Sequence, residues 1–502
     1  MSMPAKHLPS IPTLAELLQD YADAPPIPIH GIASDSRQLG KGYLFLACPG
    51  ISSHGVDYLA EAKAAGVSAV AYDALTSKAP TDIGVPMLAI DNLADKLGEI
   101  ANRFYGRPSE ELNVIGVTGT NGKTTVAWLV AQCAQLLGER CGYLGTLGYG
   151  VDDIEDSRGM TTPGAVELHR RLAKFVEQGA SYAAIEVSSH ALSQGRVDGV
   201  RFAAALFTNL TRDHLDYHAD MRDYFETKAR LFLESDTQNR IVNLDTEFGT
   251  QLAARCGQEV TTVSTKFDRV ANGRPYVFVR SVVAHGQGSN VGFVSSWGDG
   301  RFALPLPGDF NVANAAIVLA LMLQQGVSLD AACDVLSRVQ APPGRMERVA
   351  AAGAAVYVDY AHTPNALEAV LRALRVHCRG KLWCVFGCGG DRDAGKRPLM
   401  ARAAERLADR VVVTSDNPRT EDPGQIIDEV MSGLVRPNGV TVIEDRAAAI
   451  AWTIGQAGDA DIVLIAGKGH ESYQQIGKEL RPFSDYAVAE TALLAGVKGA
   501  AQ

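Results

Sequence analysis

No stretch of this chain stays apolar for the roughly 18 consecutive residues that a helix needs to cross a bilayer. Basic residues are not in excess either, since 47 Lys and Arg stand against 57 Asp and Glu for a net charge of −10. Sequence-independent binding to nucleic acid or to an anionic membrane needs a basic face, so neither partner is expected and phosphorylated ligands must be held by local sites. The opening residues, Met1-Ser-Met-Pro-Ala-Lys-His-Leu-Pro9, lack the hydrophobic region of a signal peptide, and a cytoplasmic protein is expected. The eight cysteines are scattered, and the closest pair, Cys384 and Cys388, does not have C-x-x-C spacing. Reduced thiols are therefore expected and a zinc site is not. Internal repeats and low-complexity segments are absent as well.

What is present is an ordinary globular composition, 46% hydrophobic and 21% charged, in a chain of 502 residues that is too long for one core. Length suggests about three domains. Short strand-like runs (Tyr43-Leu-Phe-Leu-Ala47, Ser68-Ala-Val-Ala-Tyr72, Pro86-Met-Leu-Ala-Ile90) alternate with helix-like segments to form a small α/β unit. A helical stretch from Asn92 to Tyr105 leads into further βα repetition, with strands at Tyr182-Ala-Ala-Ile-Glu-Val187, Ala203-Ala-Ala-Leu-Phe-Thr208 and Arg240-Ile-Val-Asn-Leu244. Such repetition implies a parallel sheet covered by helices. Residues from about 260 to 305 read as antiparallel strands. Pro342-Pro-Gly344 marks a break, followed by a second α/β run with strands near 355, 382, 410 and 461. The expected domains are 1–91, 92–343 and 344–502.

The most informative segment is Val114-Ile-Gly-Val-Thr-Gly-Thr-Asn-Gly-Lys-Thr-Thr125. A β-branched run, a glycine-rich turn and a helix-like segment follow one another, which is what a triphosphate site needs. Glycines let backbone N–H groups approach phosphates, Lys123 reaches the outer ones, and the Thr124 hydroxyl can hold Mg²⁺. The strict G-x-x-x-x-G-K-[ST] pattern fails at one position, Val117, with Gly116 before it and Gly119 inside the loop.

Glu186 ends an apolar strand, where a carboxylate beside a phosphate loop commonly ligates Mg²⁺, although an acidic strand end needs no ligand. His214 and His218 have helical spacing beside Asp213 and Asp216, but no H-E-x-x-H is present and no third zinc ligand is evident. A strand-end loop giving one ligand to a magnesium cluster is favoured. Gly308-Asp-Phe-Asn-Val-Ala-Asn314 reads as a turn entering a helix. Gly387-Cys-Gly-Gly-Asp-Arg-Asp-Ala-Gly-Lys-Arg397 combines flexible backbone with three cations, as an anion-binding loop would. Together with Asp359-Tyr-Ala-His-Thr-Pro364, Thr414-Ser-Asp-Asn-Pro-Arg419 and Ala466-Gly-Lys-Gly-His-Glu471, all after apolar strands, it suggests a second pocket.

Taken in order, these motifs resemble the Mur ligase family over nearly the whole chain. The resemblance rests on Thr118-Gly-Thr-Asn-Gly-Lys-Thr-Thr125, Glu186-Val-Ser-Ser-His190, Thr208-Asn-Leu-Thr-Arg-Asp-His-Leu-Asp-Tyr-His218, Asp359-Tyr-Ala-His-Thr-Pro364, Gly389-Gly-Asp-Arg-Asp393 and Asp416-Asn-Pro-Arg419. It implies a small N-terminal α/β uridine-binding domain, a central P-loop parallel-sheet ATPase domain with added antiparallel strands, and a C-terminal Rossmann-like α/β domain. Within the family, Asp-Asn-Pro-Arg is similar to the form that adds meso-2,6-diaminopimelate to UDP-N-acetylmuramoyl-L-alanyl-D-glutamate. An arginine at position 419 can bind the distal carboxylate bidentately, whereas lysine would set an ammonium against it.

The same resemblance implies roles for individual residues. ATP would lie on Gly119, Thr120, Asn121, Gly122, Lys123, Thr124 and Thr125, gripped from the far side by Asn311, Arg345 and Asp359. Arg345 and Asp359 lie beyond the break at 342–344, so closure of the third domain is expected for productive binding. Thr124 and Glu186 would hold one Mg²⁺ and His214 a second, with a carbamylated Lys228 as an anionic oxygen ligand and Lys123 among the catalytic residues. An unmodified Lys228 in a salt bridge is the alternative. The UDP-sugar dipeptide would lie on Ser34, Ser36, Thr161, Thr162, Ser188, Gln194 and Arg196. The family often has Asp-Gly-His near Gly50, where this chain has Ser52-Ser-His-Gly-Val-Asp57, so no uridine contact is assigned there. Diaminopimelate would lie on Arg392, Asp416, Asn417, Pro418, Arg419, Gly467 and Glu471. A monomer is expected. The competing readings are a lysine-adding sister, a folylpolyglutamate synthase-like ligase and, from another class, a P-loop NTPase switch.

Overall fold

The computed structural model describes residues 11–50, 53–77, 80–155, 160–266, 273–286, 288–350 and 353–500. Two compact units are formed, one from Met1–Lys123, Ala134–Val242 and Thr246–Val260, the other from Thr124–Cys133, Asn243–Asp245 and Thr261–Gln502.

In the first unit, Gly31–Ala33, Tyr43–Ala47, Ala69–Asp73 and Met87–Ile90 form a four-stranded sheet in that order, every pair parallel. Successive side chains of a strand face opposite ways, so Leu44 and Leu46 join one core with Leu14, Leu17 and Ile100, while Phe45 and Ala47 join another with Leu59 and Ala62. Both faces are covered, which explains the unbroken apolar runs. Six consecutive strands of a ten-stranded sheet follow in the order Thr237–Asn243, Phe202–Phe207, Asn113–Thr118, Tyr182–Glu186, Cys141–Gly145, Gly148–Gly150. Only the last pair is antiparallel. Val117 is opposite Glu186 and Thr118 opposite Phe207, so three strands deliver their carboxyl ends to one edge. Open α/β sheets bind ligands at such an edge.

In the second unit, Tyr276–His285, Gly288–Ser295 and Gly300–Leu304 are antiparallel neighbours, as expected. Val260–Ser264, by contrast, pairs parallel with Tyr276–His285. A parallel neighbour needs a return connection rather than a tight turn, and much of that connection lies outside the described residues. The C-terminal sheet runs Glu347–Arg348, Ala355–Asp359, Ile462–Ala466, Leu382–Phe386, Arg410–Val413, Val440–Val442, parallel except at its first pair. Its alternate residues feed two cores, Tyr357, Cys384 and Leu464 on one face and Val358, Val385 and Ile465 on the other.

The segment read as a turn before a helix is itself helical. Gly308, at φ 94°, makes the turn, and the helix Asp309–Gln324 already contains Asn311 and Asn314. Asn311 tolerates burial because its Nδ2 donates to the Pro307 carbonyl at 2.8 Å. All eight cysteines carry free thiols, and burial raises those of Cys141 and Cys384 to about 12. Among the described residues no helix is long and apolar enough to cross a membrane.

Candidate active site

Gly119 and Gly122 take φ values of 144° and 88°, conformations open to glycine but costly for other residues. At Gly119 a β-carbon would also come within 2.0 Å of the Thr208 hydroxyl. The loop therefore lies directly on the end of the neighbouring strand. Thr120 N–H donates to the Asn209 carbonyl at 2.9 Å, and Asn121 N–H to Asn209 Oδ1 at 3.1 Å. The Thr208 hydroxyl and the Asn209 amide both donate to the Asn121 carbonyl, at 2.6 and 3.0 Å. Thr208 and Asn209 shape the loop, a role that no local sequence pattern announces. Lys123 opens the helix Lys123–Leu136 and donates to the carbonyls of Gly119 and Thr120 at 3.0 and 2.9 Å. Its ammonium thus sits over the loop, where outer phosphates would lie.

Glu186 is fully buried. Its Oε1 accepts from the Tyr143 hydroxyl at 2.6 Å and Thr146 N–H at 2.8 Å, and its Oε2 from the Thr146 hydroxyl at 3.2 Å. Lys228 lies in the helix Met221–Leu233, also buried, with Nζ 3.4 Å from Thr118 Oγ1 and 4.8 Å from the centre of the Tyr224 ring. Burial first, and the Lys123 cation second, hold its pKa well below 10.5. His214 adopts φ 53°, unusual for a residue with a side chain. Burial lowers its pKa, with the Lys123 cation adding to the effect and Asp213 opposing it. His218 is anchored beside it, with Nε2 2.9 Å from Ser189 Oγ and Nδ1 3.2 Å from Asp223 Oδ2.

Among the described residues no three His, Cys, Asp or Glu side chains are grouped to hold a metal by themselves. A hard cation takes six or more oxygen ligands. The Glu186 carboxylate is an oxygen donor of that kind, whereas the Lys228 amine is not and would become one only as a carbamate. The donor chemistry of Glu186 is thus compatible with a magnesium ion.

Five of the seven residues expected to bind the UDP-sugar dipeptide form one hydrogen-bonded group around Glu186. Thr146 Oγ1 is 3.2 Å from Thr161 Oγ1. Thr162 Oγ1 donates to the Glu186 carbonyl at 2.7 Å and accepts from Ser188 N–H at 3.1 Å. Arg196 donates to the Thr162 carbonyl at 2.9 Å and to Gln194 Oε1 at 3.0 and 2.5 Å. Ser34 and Ser36 sit in a separate element, the turn after Gly31–Ala33, where Ser36 opens a short 3₁₀ helix. In the departure near Gly50, Ile51 and Ser52 lie outside the described residues. His54 caps the next turn, accepting from Val56 N–H at 3.2 Å and reaching Thr76 Oγ1 at 3.0 Å.

In the second unit, Asp359 is buried, and its oxygens accept from Ala361 and Met346 N–H, both at 2.8 Å. Burial raises its pKa, opposed by the Arg345 cation. Arg345 stacks on the Tyr360 ring at 4.6 Å, and its buried Nε has no hydrogen-bond partner among the described residues.

The residues expected to bind the amino acid also converge. Gly467 takes φ 119°, and a β-carbon there would come within 2.7 Å of Asp416 Oδ2. Asn417 Nδ2 donates to Glu471 Oε2 at 2.8 Å. A β-carbon on Gly390 would come within 2.0 Å of the Pro418 carbonyl, and one on Gly389 within 2.8 Å of Arg419 Nη1 and 3.9 Å of Arg392 Cγ. Arg419 itself donates to the Gly390 carbonyl at 2.7 Å. Lys468, given no role of its own in the sequence, is fully buried and donates to Asn417 Oδ1 and Glu471 Oε2, both at 2.9 Å. Arg392 and Arg419 thus meet at Gly389, while Asp416 lies against Gly467 and Glu471 is paired with Lys468.

Three family models cover most of the chain: "Mur ligase family, catalytic domain" over 28–105, "Mur ligase middle domain" over 117–322 and "Mur ligase, glutamate ligase domain" over 344–469. A protein named UDP-N-acetylmuramoyl-L-alanyl-D-glutamate--2,6-diaminopimelate ligase, from Pseudomonas putida, is 46% identical over 472 residues, 93% of this chain and 95% of its own. Its namesake from Alkalilimnicola ehrlichii is 45% identical over 492 residues, 96% of this chain and 98% of its own. A solved structure bearing that name superposes with a TM-score of 0.72 at 34% identity, covering 97% of this chain and 99% of its own. On its sequence, its fold and the residues gathered at its sheet edges, this chain belongs to the Mur ligase family.

Proposed function

We propose that this chain is an ATP-dependent ligase that joins meso-2,6-diaminopimelate to the D-glutamate of UDP-N-acetylmuramoyl-L-alanyl-D-glutamate. The observation that carries this reading is the hydrogen-bonded group running from Glu186, beside the phosphate loop, through Thr146 and Thr161 and through Thr162 to Ser188 and Arg196. It ties the expected phosphate donor site to the expected carboxylate site, as phosphoryl transfer between two bound substrates requires.

A carboxylate oxygen of the peptide attacks the terminal phosphorus, and ADP leaves with the electron pair of the broken bond. The amino group of the incoming amino acid, having lost a proton, attacks the acyl carbon. The tetrahedral adduct then collapses and expels phosphate. Lys123 holds the outer phosphates through these steps. Thr124, Glu186, His214 and Lys228, carrying CO₂ as a carbamate, would hold magnesium, which supplies neutralisation of phosphate charge when bound. Asn311, Arg345 and Asp359 hold the nucleotide from the C-terminal side. Ser34 and Ser36 in 1–91 meet the UDP-sugar, 92–343 binds ATP and 344–502 the amino acid. The chain acts as a cytoplasmic monomer.

Phosphate release should require ATP, the UDP-linked dipeptide and diaminopimelate together, and should stay at background with lysine or with folate plus glutamate. Release without any amino acid would favour a phosphate-loop NTPase instead.

A further inference from the structure

We propose that the hairpin Tyr473–Ile476/Glu479–Pro482 is a specificity element that holds Arg419 in the one backbone conformation able to recognise the distal carboxylate of the incoming amino acid. The proposal rests on reading Asp416–Arg419 as the amino-acid pocket. Arg419 has φ 52°, left-handed backbone that a residue with a β-carbon adopts only under constraint. Both of its backbone groups are taken by the hairpin. Arg419 N–H donates to the Gln475 carbonyl at 3.1 Å, and Gly477 N–H donates to the Arg419 carbonyl at 2.6 Å. The same hairpin grips the loop upstream. Gln475 N–H donates to Asn417 Oδ1 at 2.9 Å, and Gln474 Nε2 donates to the Asp416 carbonyl at 2.7 Å.

These bonds decide where the guanidinium points. With Arg419 left-handed, Nη1 rests on the Gly390 carbonyl against Gly389. Relaxing the backbone to an ordinary helical or extended conformation would swing the β-carbon, and the guanidinium with it, out of that position. At the other end, Lys468 and Asn417 both occupy Glu471 Oε2, which fixes that carboxylate. The hairpin thereby sets the span between the cationic and anionic ends, and hence which second charged group an acceptor can carry.

Gly477 allows a direct test. It has φ 60° in the turn between the strands, and a β-carbon there would meet open space. Gly477→Pro cannot adopt that φ and removes the N–H that holds Arg419. Gly477→Asn keeps the N–H and tolerates left-handed backbone. We expect Gly477→Pro to raise KM for diaminopimelate by roughly tenfold to a hundredfold, the range for one charge-assisted hydrogen bond. The preference for diaminopimelate over lysine should fall by a similar factor, with KM for ATP unchanged. Gly477→Asn should keep the wild-type preference. A folded Gly477→Pro, by circular dichroism and KM for ATP, that retains the wild-type preference overturns the proposal. If Gly477→Pro does not fold, Gln474→Leu decides: a fall in preference supports the clamp, and an unchanged preference overturns it. Wild-type protein that does not use diaminopimelate overturns the pocket reading and the hairpin's role with it.

Discussion

Lys228 is buried in the helix Met221–Leu233, and burial together with the Lys123 cation holds its pKa well below 10.5. A neutral amine adds to CO₂, releasing one proton and leaving an anionic carbamate, which is the species a magnesium site would need. Intact mass measured under native conditions should show one added CO₂, and activity should fall in CO₂-depleted buffer and return with bicarbonate. Stability is linked to the same group. Without CO₂ the unfolded chain binds a proton at Lys228 below 10.5 that the folded chain does not, so stability rises with pH between the depressed value and 10.5. Lys228→Met should accordingly raise the Tm near neutral pH in CO₂-depleted buffer, flatten the rise toward alkaline pH, and abolish ligation. A Lys228→Met protein with wild-type turnover would contradict the assigned role. Arg419 is the residue at which specificity is tested. Removing its guanidinium as Arg419→Ala should lower kcat/KM for diaminopimelate by about 10²-fold, as losing a charged hydrogen bond does. Unchanged kinetics would remove it from the pocket.

At the scale of elements, local chemistry made the phosphate loop and its strand legible in sequence, because glycine, lysine and threonine act there through their own backbone and side chains. What was not legible depends on partners far along the chain. Thr208 and Asn209 hold the loop across roughly ninety residues of sequence. Tyr143 and Thr146 hold Glu186 from the glycine-rich strand Cys141–Gly145 and the turn after it, which carries no strong strand pattern. The hairpin that clamps Arg419 is short, polar and partly exposed, so no hydrophobic period marks it. Asn311 was read as part of a turn because Asn favours caps, yet tertiary burial draws it into the helix. The helix bearing Lys228 begins on Asp220, whose carboxylate accepts from the N–H groups of Arg222 and Asp223, both at 2.8 Å. Asp220→Ala should cost about 1 kcal/mol of stability in denaturant unfolding. A loss of activity much larger than the stability change would show that the cap also sets the Lys228 position.

At the scale of the whole molecule, a chain of net charge −10 is expected to take ligands rich in phosphate and carboxylate. The cations proposed to meet them are local to sheet edges, Lys123 on one sheet and Arg392 and Arg419 on another, rather than spread over a basic face. The parallel sheets were legible because both faces of each strand are buried, which leaves long apolar runs in the sequence. The parallel pairing of Val260–Ser264 was not, since pairing direction depends on the path of a connection rather than on the residues of the strand. The most direct test is the mass of the product formed from the UDP-linked dipeptide, ATP and an equimolar mixture of diaminopimelate, lysine, glutamate and D-alanyl-D-alanine. One product, heavier than the dipeptide by diaminopimelate less one water, should accumulate with equimolar ADP and phosphate, and Lys123→Ala should not form it. A lysine adduct as the main product, or ADP and phosphate without any adduct, would contradict the account.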